Sequence, residues 1–426
     1  MTSRLLIVSN RLPVTFTRDR DGAPVLRQSS GGLATGLRGP HEESQGLWIG
    51  WPGRLADLDG AAREQALQQL ADIRAVPVEI TERDEKMFYG SISNSVLWPL
   101  FHDRLDHLPL RIEGWEEYAR VNERFAAVTA AQYRDGDVIW VHDYHLFHVP
   151  SLLRARLPAA PIGFFLHIPF PTPEIFLTLP ARRRLVEGML GADVIGFHTR
   201  RYLGHFAAVL RRIFGLELGH DDTVTWQGRT VRLLVAPMGI DSADFAERAA
   251  ATDVNAARIE LRAMGQQLLL GIDRLDYTKG IALRLAAFHN LLERHPEVRG
   301  QLSLIQVVVP SREDIPQYRA MKTEIEQLVG RINGEFARPG GWVPVWYEYR
   351  SLTRLELLAY YRAADIALIT PLKDGMNLVA KEYCACSIEE DCVLILSEFA
   401  GAAAQLGADA LLVNPYDIEG VANALR

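Results

Sequence analysis

The chain has 426 residues, 48% of them hydrophobic and 23% charged, with 46 Lys plus Arg against 53 Asp plus Glu and a net charge of −7. That length exceeds what one hydrophobic core covers and points to two domains of roughly 200 residues each, while the ordinary apolar content excludes disorder. The acidic balance excludes a bulk field that would draw in nucleic acid or an anionic membrane, so an anionic ligand must meet locally placed basic residues.

The N-terminus runs into LLIVS, a strand-like segment with no long apolar stretch or small-residue cleavage site ahead of it. No apolar run reaches membrane-spanning length, and the expected location is cytoplasmic. Strands are predicted in the first half at LLIVS, LWIGW, AVPVEI, DVIWVH, IGFFLH, DVIGFH and VRLLVAP. A second series follows at LLLGIDRL, LSLIQVVV, VPVWYEY, DIALIT, CVLILS and ALLVN. Short apolar runs separated by longer helical patterns are the signature of a parallel-sheet α/β protein. Pro237 and Gly239 break the pattern between the two series, which places the domains at 1–237 and 238–426. The expected fold is two doubly wound Rossmann-like domains facing across a cleft, with ligands beyond the C-terminal ends of the strands.

In chain order, SNRLPV puts Arg11 at the end of the opening strand. In SSGGLATGL, Gly31 and Gly32 allow close backbone approach to a phosphate or sugar, without the order of a P-loop or a dinucleotide fingerprint. DLDG at 57–60 follows no strand, so neither metal binding nor a phosphatase nucleophile is read there. MFYGSISNSVLWPLFH places Tyr89 and Trp98 in a loop-like region, where stacking on a sugar competes with plain core packing. VHDYHLFH and FFLHIPFP carry His142, Asp143, His145, His148 and His167. Strand alternation sends His142 and Asp143 to opposite faces and no third ligand is spaced to close a metal site, so no metal is expected. Asp143 and His167 fit better as hydrogen-bonding partners of sugar hydroxyls, and His145 and His148 as packing residues.

In the second half, RLDYTKG offers Arg274 and Lys279, five residues apart around a turn closed by Gly280, as paired cations for a departing diphosphate. VVVPSRED ends a strand with Arg312, a further anion contact or part of a helix start. LKDGMNLVAKEY sets Asp374 and Gly375 before a helix expected to begin near Met376, so the free amides of Met376, Asn377 and Leu378 face a ligand. At about 1.5 Å per residue, Glu382 lies about 12 Å beyond Asp374, the reach from a hexose across a diphosphate to a ribose. The bland reading makes Asp374 a helix cap and Glu382 a surface partner. Cys384, Cys386 and Cys392 are read as small buried hydrophobes, since neither disulfide nor zinc spacing is present. NPYDIEGVANALR begins a helix at the end of the sequence, which suggests a further C-terminal segment.

With these motifs in view, the chain resembles the trehalose-6-phosphate synthase family, retaining glycosyltransferases of the two-Rossmann-domain (GT-B) type, family 20. LHIPFPTPEIF, RLDYTKG and DGMNLVAKEY carry the match. The resemblance implies transfer of glucose from a nucleotide diphosphate glucose, usually UDP-glucose, to glucose-6-phosphate, giving α,α-trehalose 6-phosphate with no cofactor and no metal. It implies a catalytic group of Asp143, His167, Arg274, Lys279 and Asp374. Donor contacts would come from Gly32, Arg274, Lys279, Asp374, Gly375, Met376, Asn377, Leu378 and Glu382. Acceptor contacts would come from Arg11, Trp51, Tyr89, Trp98, Asp143, Arg312 and Arg354. It also implies an N-terminal acceptor-binding and a C-terminal nucleotide-sugar-binding domain, the latter lacking the family's terminal cross-over helix. Rival readings are a related transferase with another acceptor, such as a glucosylglycerol-phosphate synthase or a pseudo-glycosyltransferase, and a non-catalytic sugar-phosphate sensor. The donor base and the oligomeric state, homo-oligomer included, are not legible.

Overall fold

The computed structural model describes residues 3–18, 24–28, 36–263, 265–311, 315–338 and 341–426. Contacts divide the chain into two compact units, Met1–Met238 and Gly239–Arg426.

In the first unit the strands are β1 (Leu5–Arg11), β2 (Val14–Arg18), β3 (Pro24–Gln28), β4 (Leu47–Trp51), β5 (Ala75–Pro77), β6 (Val138–His142), β7 (Ile162–Leu166), β8 (Val194–Phe197), β9 (Thr223–Trp226) and β10 (Arg229–Val235). Eight of them form one sheet in the order β5-β4-β1-β6-β7-β8-β10-β9, and β2 and β3 pair as a separate antiparallel ribbon. The second unit contains β11 (Gln267–Arg274), β12 (Leu302–Val309), β13 (Val345–Tyr349), β14 (Ile366–Ile369), β15 (Val393–Ser397) and β16 (Leu411–Val413), ordered β13-β12-β11-β14-β15-β16. Both sheets reverse direction of strand order beside their opening strand, and this creates a crevice at the strand ends.

The apolar runs become strands because helices cover both faces: β12 buries seven of its eight residues, and separate cores flank the second sheet. The helices bury one stripe. Arg200–Phe214 hides Tyr202, Leu203, Phe206, Val209 and Leu210, starts under a Thr199 cap and stops at Gly215 (φ 67°).

Three strands escape the sequence reading. β2, β3 and the antiparallel edge strand β9 alternate or lie half exposed, so they lack the continuous apolar run that marks a doubly covered strand; β9 buries only Val224. The segment expected to be a loop around Tyr89 and Trp98 is instead helical. Thr81 and Asp84 form a capping box, and the chain then runs as a wide helix over Glu85–Leu97 with Trp98 N–H donating to Ser93 O, an i→i+5 bond. Gly90 and three serines in that stretch disguise the pattern. Asp59 of DLDG accepts from Ala62 N at 3.1 Å and caps the helix Gly60–Asp72. Cys386 packs in the core, and Cys384, Cys386 and Cys392 are all free thiols. The helix Ile418–Ala424 packs Val421, Ala422 and Leu425 into the core that holds Phe288 and Leu291. No helix among the described residues is long and apolar enough to cross a membrane.

Candidate functional site

In the first unit the candidate residues collect at the C-terminal strand ends on either side of β1. Arg11 and Trp51 end neighbouring parallel strands and are register partners. The Arg11 guanidinium carbon lies 3.8 Å from the centroid of Trp51 and 5.4 Å from that of Tyr89. Burial lowers the Arg11 pKa, opposed by Tyr89 and Glu85, yet a guanidinium remains charged at neutral pH. The indole Nε1–H of Trp51 is buried with no acceptor among the described residues. A cation beside an unsatisfied donor suits an anionic or hydroxylated ligand. The His145 ring stacks on Tyr89 at 5.9 Å and lies 3.9 Å from Tyr144, which in turn meets Trp98 at 5.9 Å. His145 thus packs, as expected, but it packs against candidate site residues. Trp98 is linked to Arg11 through this aromatic chain.

Asp143 follows β6 with φ 74° and ψ 168°, a region that side chains rarely adopt. Its Oδ1 accepts the His167 N–H at 3.2 Å. Burial raises its carboxyl to about 7, against the lowering effect of the Tyr144 and His167 N–H groups. His167 Nε2 and His142 Nδ1 are 2.9 Å apart, so one ring donates and the other accepts. Burial holds His142 down at about 3 and His167 well below the usual range, the latter with help from His142 and His198. Two neutral imidazoles sharing one proton tie the tautomer of His167 to that of His142. Sequence reasoning gave His142 no role, because facing the other side of the strand seemed to remove it.

In the second unit Arg274 closes β11 on the surface, with no hydrogen bond or ion pair among the described residues. Lys279 Nζ lies 2.5 Å from Asp374 Oδ2, with both side chains mostly buried, and Asn377 Nδ2 donates to the same oxygen at 3.1 Å. Gly280 (φ 67°) permits the turn: a Cβ there would fall 2.5 Å from Thr370 O. The Asp374–Met376 segment is pinned to 399–402 through Gly401 N–H to Asp374 O at 3.1 Å and Ala402 N–H to Met376 O at 2.6 Å.

The helix after it spans Leu378–Cys386, two residues later than expected, because Asn377 has φ 78° and serves as its cap. Asn377 Oδ1 accepts from Ala380 N at 3.1 Å. The open first-turn amides are therefore those of Leu378 and Val379, and neither Met376 nor Asn377 supplies a helical one. Met376 is a core residue. With Asp374 and the three residues that follow it lying outside the helix, the axial estimate of about 12 Å to Glu382 has no helical basis. Glu382 accepts from Tyr361 Oη at 2.8 Å; burial raises its pKa, opposed by Tyr361 and Arg354. Arg354 pairs with Asp244 and covers Phe245 at 4.7 Å, so it belongs with Glu382 in the second unit. Gly32 and Arg312 lie outside the described residues.

Beneath Lys279 is a buried ionic network that sequence spacing did not reveal. Arg284 Nη1 bonds Asp273 Oδ2 at 2.7 Å and Gln306 Oε1 at 3.2 Å, its Nε donates to Thr370 Oγ1 at 3.1 Å, and its Nη2 reaches Lys279 O at 3.4 Å. Asp273 was hidden inside a run read as apolar strand, and only an acid in such a run could have signalled it.

Among known proteins, a model described as "Glycosyltransferase family 20" matches residues 3–426. A relative from Dictyostelium discoideum, "Alpha,alpha-trehalose-phosphate synthase [UDP-forming] A", is 43% identical over 428 residues; the match covers 100% of this chain, which spans 57% of that relative's length. A solved structure described as "Trehalose-6-phosphate from E. coli bound with UDP-2-fluoro glucose" superposes with TM-score 0.87 at 36% identity, covering 99% of this chain and 90% of the other. An α,α-trehalose-phosphate synthase (UDP-forming) from Burkholderia xenovorans in complex with glucose-6-phosphate gives TM-score 0.87 at 36% identity, covering 99% and 91%.

Proposed function

The chain belongs to glycosyltransferase family 20, and from that premise we propose that it transfers glucose from UDP-glucose to glucose-6-phosphate, releasing UDP and α,α-trehalose 6-phosphate. The observation that carries the reading is the 2.5 Å Lys279–Asp374 pair at the crevice of the second sheet, with Arg274, exposed and without an ion pair among the described residues, ending the strand that leads into the Lys279 turn. The structural neighbours bound to UDP-2-fluoro glucose and to glucose-6-phosphate support the same two substrates.

Arg274 and Lys279 bind the donor diphosphate, Asp374 bonds the transferred glucose, the Leu378 and Val379 amides face polar groups of the donor, and Glu382 takes the ribose. Asn377 holds Asp374 in place. Arg11, Trp51 and Tyr89 bind the acceptor phosphate, with Trp98 behind them. Arg354 assists the donor through Glu382. Asp143 and His167 orient the hydroxyls of the reacting sugars.

As the bond from the glucose anomeric carbon to the diphosphate oxygen breaks, the acceptor anomeric hydroxyl attacks on the same face. Its proton passes to the departing diphosphate, so configuration is retained without a carboxylate nucleophile. Negative charge developing on the leaving oxygen is neutralised by Arg274 and Lys279, the role a divalent ion plays elsewhere.

Incubation with radiolabelled UDP-glucose and glucose-6-phosphate, with ADP-glucose and GDP-glucose in parallel, tests the proposal. Labelled trehalose 6-phosphate with stoichiometric UDP is expected, at an unchanged rate in EDTA. No transfer to glucose-6-phosphate from any donor refutes the function, and a rate abolished by EDTA and restored by a divalent cation refutes the metal-independent mechanism.

A further inference from the structure

Away from the candidate residues at the strand ends, the helix layer of the first unit holds a cavity at the edge where the strands begin. Its volume is about 840 Å³, and it is lined among others by Arg120, His148, Arg154, Arg184, Trp226 and Arg229. Arg154, in the helix Val149–Arg156 ahead of β7, bonds Ala160 O at 2.9 Å and Asp193 Oδ2 at 2.7 Å just before β7 and β8 begin, Gly191 lies shortly before β8, and Arg229 opens β10. Asp143 and His167, by contrast, follow the ends of β6 and β7.

The lining is electropositive in detail. Glu123 and Glu187 also border the cavity, but each is already paired with a cation outside it, Arg156 and Arg183. Arg154 and Arg229 share a single carboxylate, Asp193, at 2.7 and 3.1 Å, which leaves one positive charge uncompensated. Burial and the neighbouring Arg154 lower the Arg229 pKa, the expected mark of that excess. Arg184 is exposed and has no hydrogen bond or ion pair among the described residues. His148 Nε2 is buried with no hydrogen-bond partner among the described residues, and its pKa is lowered to about 4 by burial and then Arg184, so the ring is neutral.

The shape is fixed by close packing. A Cβ on Gly191 would fall 2.2 Å from Ser151 N, and one on Gly188 2.3 Å from Phe147 O, so the helix Arg182–Met189 sits directly on the 147–151 backbone. Trp226, braced edge-on by Phe214 at 4.9 Å, adds an aromatic ring to the same lining as the arginines. Volume, cation excess and aromatic wall together exceed what a bare inorganic anion needs.

We propose that this cavity binds a phosphate ester carrying a ring, with Arg184 and Arg229 on the phosphate and Trp226 against the ring. A sugar phosphate and a nucleotide share that chemistry. The site is separate from the residues proposed for transfer, and its occupation does not depend on that assignment.

Hydrogen exchange read by mass spectrometry tests it, with glucose-6-phosphate, adenosine 5′-monophosphate and inorganic phosphate as separate probes. In the wild-type chain at least one ester slows exchange in 148–155 and 226–229, and the ester that does so identifies the source. Inorganic phosphate requires at least tenfold higher concentration for the same effect. Arg184→Glu, a surface change that leaves the melting temperature unchanged, abolishes the slowing in these two segments. Absence of slowing with both esters, or slowing that persists in Arg184→Glu, overturns the proposal; equal potency of inorganic phosphate overturns the role of Trp226.

Discussion

Asp143 has a backbone that only glycine adopts freely, at φ 74° and ψ 168°. Replacing it by alanine and by glycine separates strain from chemistry, because both variants lose the carboxylate and its 3.2 Å bond to His167 N–H. The variants differ in the Cβ. Alanine keeps the backbone strain, roughly 1–3 kcal/mol for such a conformation. Glycine removes it but loses about 0.5–1 kcal/mol through the greater freedom of the unfolded chain. At an ordinary position alanine is the more stable; here glycine leads by about 1 kcal/mol. In a unit the size of Met1–Met238, that corresponds to a melting temperature about 2–4 °C higher for Asp143→Gly than for Asp143→Ala. Thermal unfolding of both, with UDP release measured on each, is the assay. Transfer falls at least about 100-fold in both, since a group orienting the reacting sugars is lost. An alanine variant as stable as the glycine variant would show that the fold stores no strain here, and retained transfer would remove Asp143 from the site.

The same carboxyl gives a pH dependence. Because its folded pKa is raised to about 7 above an unfolded value near ~3.9, the folded state holds the proton more tightly, and its contribution to stability is lost as pH rises between those values. Denaturant unfolding of Asp143→Asn gains on the wild type from pH 4 to about 7 and no further; a constant difference across that range refutes the shift. Lys279→Ala leaves Asp374 without its cation, so kcat/KM for UDP-glucose falls at least about 100-fold and the second unit loses about 3 kcal/mol; Asp374→Asn combined with it recovers stability but no activity. Arg11→Lys, which gives up the flat stacking on Trp51, raises KM for glucose-6-phosphate about tenfold with little change in KM for the donor. An equal effect on both substrates would move Arg11 out of the acceptor site.

The alternation of buried strands and helices, the place of the break near Pro237, and the clustering of polar motifs at strand ends all stood in the chain itself. They did so because a doubly covered strand must be apolar throughout and its ligand-binding groups can lie only where it stops. Local rules also gave Arg274 and Lys279 to one turn. What the sequence could not decide was which strands are neighbours: Arg11 meets Trp51 because β1 lies beside β4, and Lys279 meets Asp374 because β11 lies beside β14, contacts between residues far apart in the chain. Backbone conformation was equally hidden, since Asn377 in the left-handed region moves the helix start and Asp143 at positive φ carries strain that no residue type announces. The buried Asp273–Arg284 network, too, is stable only when folding brings acid, base, amide and hydroxyl together away from water, so its members look ordinary until the sheet closes over them.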